Sequence, residues 1–264
     1  MANLRAAPPN WTLARPDTWE GVIDALYDYI ERPHAHCNKS VRVGGQPDYK
    51  TRHFDGYKWV CLDPELGMLE TDRCLIYSFG VDHDWSFDDN AQLLECEIHA
   101  FDPSIGATDH KRSARIFFHN IGIGGRNEVK TVRRGLVSTR RWDIRTYEGV
   151  VRFLGHLDRT VHYLKVDVEG SEWDMFAQIF AQSPHLLRNV KQIGMEVHMA
   201  FVPGSKVGLD MWKRYLSTFM QLERMGFRLF HSEVNPYEAP RNLFKWTPRK
   251  VSRVYELVWL NQPW

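Results

Sequence analysis

The chain has 264 residues, with 34 Lys plus Arg against 33 Asp plus Glu, a formal net charge of +1. That balance excludes a general polyanion binder, which needs a clear excess of basic charge. At 43% hydrophobic and 25% charged residues the chain is globular rather than disordered. Four cysteines are too few for a disulfide scaffold, no Cys-x-x-Cys pair marks a zinc site, and no apolar run approaches the ~20 residues of a membrane span.

The first nine residues lack the apolar segment of a signal peptide. Two sequons, Asn10-Trp11-Thr12 and Asn38-Lys39-Ser40, lean towards a secretory origin such as the Golgi lumen, with an anchor trimmed away. The alternative is a cytoplasmic protein with chance sequons. Asp17-Thr18 caps an amphipathic helix from Trp19 to Ile30, with Val22, Ile23, Leu26, Tyr27 and Ile30 on one face, and Arg32-Pro33 ends it. The polar, glycine-rich stretch from His34 to Tyr57 reads as an arm with little regular structure. His34, His36 and Cys37 within it are close enough for a metal site, but a solvated loop is the preferred reading. Cys61 and Cys74 flank a short segment and are either a bridge or two buried thiols.

From Cys74 the pattern becomes strand, turn, helix, strand, and repeats. Strands are expected at 74–79, 97–101, 114–120, 161–166, 192–199, 227–231 and 254–260, and helices at 87–94, 147–157, 172–180 and 210–225. Alternation at this spacing predicts a doubly wound, Rossmann-like α/β sheet. The expected organisation is an N-terminal helix and arm over residues 1–57, covering the acceptor side, and a catalytic domain over residues 58–264. The run Lys130, Arg133, Arg134, Arg140, Arg141, Arg145 reads as a solvated loop, with an anion cradle as the alternative. Trp59, Trp85, Trp173 and Trp246 are core rings by default, with stacking on a sugar face as the functional alternative.

In such a sheet ligands bind at the carboxyl ends of the strands, where strand order reverses. Gly80 closes the first strand and lets backbone approach a ligand. Asp102 closes the second about twenty residues on, where a carboxylate accepts from ribose hydroxyls. The loop after Gly80 has a single glycine and carries Asp82, Asp84 and Asp88. Such a loop repels a diphosphate and suits a nucleoside bearing a sulfonium and an ammonium, which points to S-adenosylmethionine.

Tyr77-Ser78-Phe79-Gly80, Asp84-Trp85-Ser86-Phe87, the block Leu164-Lys165-Val166-Asp167-Val168-Glu169-Gly170-Ser171-Glu172-Trp173 and Gly194-Met195-Glu196-Val197-His198-Met199 resemble animal methyltransferase-like proteins related to the FkbM-type O-methyltransferases. Phe54 to Cys61 is similar to their lead-in segment. The resemblance implies a class I methyltransferase fold with seven strands, the last antiparallel, and S-adenosylmethionine as donor. It also implies a hydroxyl acceptor, often on a sugar, so that the partner is a small molecule or glycan. Carried over by position, Gly80 borders the donor's methionine part with Ser78, Phe79 and Asp82 nearby, and Asp102 holds the ribose. Asn120 and Ile121 face the adenine, and Asp167 sits beside the methyl group.

Asp167 and Glu169, like Glu196 and His198, are two residues apart. If both pairs are extended, each projects its side chains to one side, and on neighbouring strands all four converge. An alcohol is a poor nucleophile near neutral pH and needs a base or a metal. His198 is the candidate base, oriented by Glu196 or Asp167. Asp167, Glu169 and Glu196 are candidate ligands for Mg²⁺, Mn²⁺ or Ca²⁺. Nucleic-acid methylation and donor binding without turnover are the other readings. Net charge and the lack of an Asn/Asp-Pro-Pro-Tyr-type motif weigh against the first of these.

Overall fold

The computed structural model describes residues 16–47, 54–70, 73–134, 138–200 and 205–262; Asn10 and its sequon lie outside them. Helix α1 (Trp19–Ile30) starts at Thr18, whose hydroxyl accepts the Gly21 N–H at 3.2 Å. Its apolar face is fully buried. Tyr29 donates to Glu223 at 2.7 Å and accepts from Trp259 at 2.8 Å, and Tyr27 donates to the Ser252 carbonyl at 2.7 Å. These partners belong to the main domain, so α1 is part of its core.

The stretch expected to be an irregular arm is instead an antiparallel hairpin of β1 (Ser40–Pro47) and β2 (Phe54–Cys61). Its glycines hid it. Gly44 and Gly45 have φ of +80° and +91°, and a Cβ on Gly44 would run into the backbone of Phe87. Glycine therefore serves close approach here, and not an open turn. The expected boundary between residues 57 and 58 falls inside β2.

The main sheet is built from β3 (Leu75–Phe79), β4 (Glu97–Phe101), β5 (His110–Lys111), β6 (Ile116–His119), β10 (Tyr163–Val166), β11 (Gln192–His198), β12 (Phe227–Val234) and β13 (Val254–Asn261). Its order is β12-β13-β11-β10-β3-β4-β6-β5. Strands β6, β4, β3, β10 and β11 are parallel, while β13 runs antiparallel between β11 and β12. Every residue of β3 and β10 is buried, as expected for central strands covered on both faces. Helices α2 (Ser86–Ala91), α3 (Tyr147–Leu154), α4 (Glu172–Gln182) and α5 (Lys206–Arg224) supply the crossovers and cover.

A second, three-stranded sheet follows β6: β7 (Ile121–Ile123), β8 (Glu128–Arg134) and β9 (Ser138–Arg145), in the order β7-β9-β8. The arginine-rich run is thus a paired ribbon and not a solvated loop. Cross-strand hydrogen bonding satisfies its backbone; Lys130, Arg133 and Arg141 are exposed, whereas Arg140 donates to the Ser104 carbonyl at 2.8 Å and Arg145 pairs with Asp143 at 2.8 Å. Cys61 and Cys74 do not pair with each other. Cys37–Cys61 joins the segment after α1 to β2, and Cys74–Cys96 joins the amino ends of β3 and β4.

Candidate active site

The order of strands reverses between β3 and β10, and a cavity of about 430 Å³ opens at their carboxyl ends. Phe79, Gly80, Val81 and Asp82 line it from β3, Phe101 to Ser104 from β4, and Asp167 to Glu169 from β10. Gly122, Ile123, Trp142 and Ile144 of the second sheet close one side, and Asp55 and Gly56 of β2 close another. Its volume lies in the range of small-molecule sites.

Gly80 has φ +81°, and a Cβ there would overlap the Asp167 carbonyl. Only glycine lets the two strand ends meet this closely. The Lys165 ammonium donates to the Gly80 carbonyl from within the cavity wall. Asp102 fastens the loop after Gly80: one carboxylate oxygen accepts from Val81 N–H at 3.0 Å and Asp82 N–H at 2.7 Å, and the other from Ser104 N–H at 2.7 Å. Asp82 itself sits at φ +47°, a conformation those two hydrogen bonds hold in place. The wall carries the carboxylates of Asp55, Asp82, Asp84, Asp102, Asp167, Glu169 and Glu196 against the single ammonium of Lys165. That field favours a cationic ligand and opposes a polyphosphate.

Of the donor residues expected from sequence, Phe79, Gly80, Asp82, Asp102 and Asp167 line the cavity. Ser78 is buried within β3, and Asn120 and Ile121 stop short of the cavity, where Gly122 and Ile123 stand instead. Asn120 N–H is engaged by Asp109 at 2.8 Å. Among the tryptophans, Trp142 lines the wall, while Trp59, Trp85, Trp173 and Trp246 do not. Trp173 is core: it packs on Tyr215 at 4.2 Å between ring centroids and donates to the His198 carbonyl at 2.8 Å.

Strands β10 and β11 are neighbours, as the convergence of the two pairs required. The extended geometry holds through Glu196 and His198 but ends at Val166 on β10, and Glu169 turns at φ +53°. Glu169 still reaches the cluster. His198 Nε2 lies 3.5 Å from both Glu169 and Glu196, and its Nδ1 lies 3.4 Å from Glu172. Burial works against charge on this ring, but Glu172 and Glu196 outweigh it and push the imidazole up to about 11. His198, the base expected from sequence, thus stands behind the cavity wall among three carboxylates that favour its charged form. Asp167, whose carboxyl is pushed up to about 6 by burial with Lys58 opposing, does face the cavity.

Three participants escaped the sequence reading. Lys58 of β2 is buried, with its ammonium 2.7 Å from Glu256, 3.4 Å from Asp167 and 3.9 Å from Glu196. Burial alone would discharge it, yet the three carboxylates hold it above the ordinary lysine range. Glu256 stands opposite Glu196 in the β11–β13 register, and Asn235 donates to Glu196 at 2.8 Å. Glu172, fully buried, accepts from Gly170 N–H at 2.8 Å and His198 N–H at 2.9 Å, so it clamps the turn after β10 to the end of β11. Its position in the first turn of α4 also suits the helix dipole.

Residues 7–246 match the family model described as "Methyltransferase domain". The chain is 28% identical over 214 residues to probable methyltransferase-like protein 24 of Rattus norvegicus, covering 78% of this chain and 56% of that protein. It is 25% identical over 279 residues to the Homo sapiens protein of the same name, covering 98% of this chain and 72% of that one. The chain thus spans a little over half the length of the rat relative. A solved 16S rRNA (adenine(1408)-N(1))-methyltransferase from Catenulisporales acidiphilia aligns with 84% of this chain and 98% of its own at 11% identity and a TM-score of 0.32. With the family match spanning most of the sequence and the strand order of a doubly wound sheet in which β13 runs reversed beside the parallel strands, the chain belongs to the Methyltransferase domain family and has the class I methyltransferase fold.

Proposed function

We propose that this chain moves the methyl group of S-adenosylmethionine to a hydroxyl group of a carbohydrate. The observation that carries the donor assignment is the cavity beside Gly80, where a wall of carboxylates meets a backbone cradle that a Cβ would fill. The donor supplies an activated methyl group on a sulfonium, so the protein has to align the acceptor and take its proton. Asp167 is the group at the cavity surface placed to accept that proton, and His198 with Glu196 orients it from behind. The O–H proton passes to Asp167 as the new C–O bond forms and the C–S bond breaks, leaving a methyl ether and a neutral thioether. Asp167, Glu169 and Glu196 are the residues a divalent ion would use. Lys58 and His198 already neutralise these oxygens, so in this reading the transfer needs no resident ion.

The carbohydrate acceptor rests on the likeness to FkbM-type enzymes and on Trp142. Its ring lines the cavity, and its indole N–H has no hydrogen-bond acceptor among the described residues. Such a ring suits a sugar face with a hydroxyl at its edge. One observation favours a different acceptor: Lys130, Arg133 and Arg141 project as exposed side chains from the ribbon that carries Trp142, where a nucleic-acid backbone would meet them. Among the described residues no helix is long and apolar enough to cross a membrane. Two disulfides, with the exposed sequon at Asn38 beside Cys37, support maturation in an oxidising lumen.

Calorimetric titration with S-adenosylhomocysteine tests the donor site, and micromolar binding is expected. Methyl transfer to a panel of neutral and anionic glycosides then tests the acceptor. Asp167→Asn should lower turnover by about 10²–10⁴-fold while changing the affinity for S-adenosylhomocysteine far less. Absence of donor-product binding sinks the methyltransferase reading. Salt-sensitive transfer to RNA with none to glycosides moves the acceptor to nucleic acid.

A further inference from the structure

On the face of β4 that α3 covers, three imidazoles and a carboxylate gather, none of them lining the cavity. Glu97 and His99 alternate onto one face of β4, Tyr77 of β3 stands beside His99 in register, His119 ends β6, and His156 follows the glycine that stops α3. None of Glu97, His99, His119 and His156 lines the donor cavity; Phe101, which does, lies two residues beyond His99 on β4 and packs between cluster and cavity.

His99 Nε2 lies 3.0 Å from Glu97 Oε1, and His156 Nε2 lies 4.0 Å from the same oxygen. One donor atom from each of the three residues falls within 4.8 Å of the others. The second nitrogen of each ring is already held. His156 Nδ1 is 2.9 Å from the Tyr77 hydroxyl. His99 Nδ1 is 2.9 Å from His119 Nε2, and His119 Nδ1 faces Asp109 at 3.5 Å. Metal-binding histidines are oriented through their far nitrogen in this way.

Proton positions sharpen the point. If His99 carries its proton on Nε2, towards Glu97, then His119 must donate through Nε2 and leaves a lone pair facing Asp109. If the protons move one place along, His99 donates to His119 Nε2 and His119 Nδ1 carries its N–H 3.5 Å from Asp109, without a hydrogen bond formed. His99 Nε2 then turns a lone pair towards Glu97 at 3.0 Å. A cation bound by His99 Nε2 and Glu97 suits this second arrangement, in which both atoms offer lone pairs. A positive charge is already close to that place: Arg159 Nη1 lies 2.6 Å from Glu97 Oε1 and 3.3 Å from His156 Nε2. A guanidinium only donates, so His156 Nε2 presents its lone pair there. The Arg159 side chain is 34% exposed and has solvent to move into.

We propose that Glu97, His99 and His156 form a site for a divalent transition metal, zinc first, with Arg159 as the cation that holds the place when the ion is absent. Two imidazoles and one carboxylate are a donor set that zinc accepts, with a fourth position left for water. Bound there, the ion would pin β4 to the segment after α3.

The test uses the disulfide-intact protein stripped with a chelator, in which the cysteines are oxidised and offer no thiolate. Calorimetry with Zn²⁺ should show one ion per chain at micromolar affinity or tighter, and Co²⁺ should give a visible absorption band. Arg159→Ala should tighten zinc binding about tenfold, and His156→Gln should weaken it by about tenfold or more. Glu97→Gln serves the same purpose if His156→Gln does not fold, judged by thermal unfolding. Asp167→Asn, which disrupts the Asp167–Glu169–His198 group, should leave zinc uptake unchanged. The proposal is overturned if neither the wild type nor Arg159→Ala takes up zinc, or if uptake survives both ligand substitutions.

Discussion

Gly80 carries two constraints at once, a φ of +81° and contact with the Asp167 carbonyl. Gly80→Ala must therefore shift either the β3 loop or the β10 turn, and both border the cavity. Affinity for S-adenosylhomocysteine should fall at least tenfold by calorimetry, with about 1–3 kcal/mol lost in denaturant unfolding. Gly80, Asp102 and Asp167 were legible because each closes an apolar run, and a sheet of this type puts such residues at the ligand end. Lys58 was not. It comes from a hairpin whose pattern is masked by glycines, and its partners Asp167, Glu196 and Glu256 lie more than a hundred residues away in sequence. Removing its charge should be costly, since Lys58→Met leaves three carboxylates facing one another in a buried place. We expect a loss of about 3–5 kcal/mol in chemical denaturation, and an activity loss that added salt does not restore.

Among elements, the central strands and four of the five helices could be placed within a few residues, because continuous apolar runs and 3.6-residue periodicity report burial directly. Thr18 shows how far local chemistry reaches, since it marks the start of α1 as expected. The β1–β2 hairpin and the β8–β9 ribbon were read as irregular because one is glycine-rich and the other arginine-rich. In both, cross-strand hydrogen bonds decide the structure, and the strands' own sequences do not reveal their partners. The same limit applies to the disulfides, whose pairing follows from that fold. Each closes a loop of similar length, with separations of 24 and 22 residues, and each should stabilise by about 3 kcal/mol. Their effects on the site should differ. Cys37–Cys61 anchors the strand that delivers Asp55, Gly56 and Lys58, whereas Cys74–Cys96 ties strand ends remote from the cavity. Replacing Cys37 and Cys61 by Ser should weaken S-adenosylhomocysteine binding several-fold. Replacing Cys74 and Cys96 should lower the unfolding temperature with binding nearly unchanged. Equal effects on binding would refute this division of roles.

For the whole molecule, a net charge of +1 conceals a strong separation: acids converge on the cavity and exposed bases on the ribbon beside it. Concentrating carboxylates around a ligand site works against stability, and Asp88 makes that cost measurable away from the Asp167 cluster. It is fully buried in the first turn of α2. Burial pushes its carboxyl up to about 6 from an ordinary 3.8, with the Lys165 charge pulling the other way. Below pH 3.8 the folded and unfolded chains both hold the proton, and Asp88 brings no penalty. Between there and about pH 6 the folded chain retains a proton that the unfolded chain releases, so stability falls as pH rises. Above about pH 6 the full penalty applies, about 3 kcal/mol from the linkage relation. Asp88→Asn removes the ionisation while keeping the shape. Denaturant unfolding of both proteins from pH 4 to pH 8 should show the variant gaining on the wild type through this window and holding a constant lead above it. A lead that is absent at pH 8, or that shrinks as pH rises, would mean that Lys165 compensates Asp88 fully and that the carboxylates near the cavity are held without net cost.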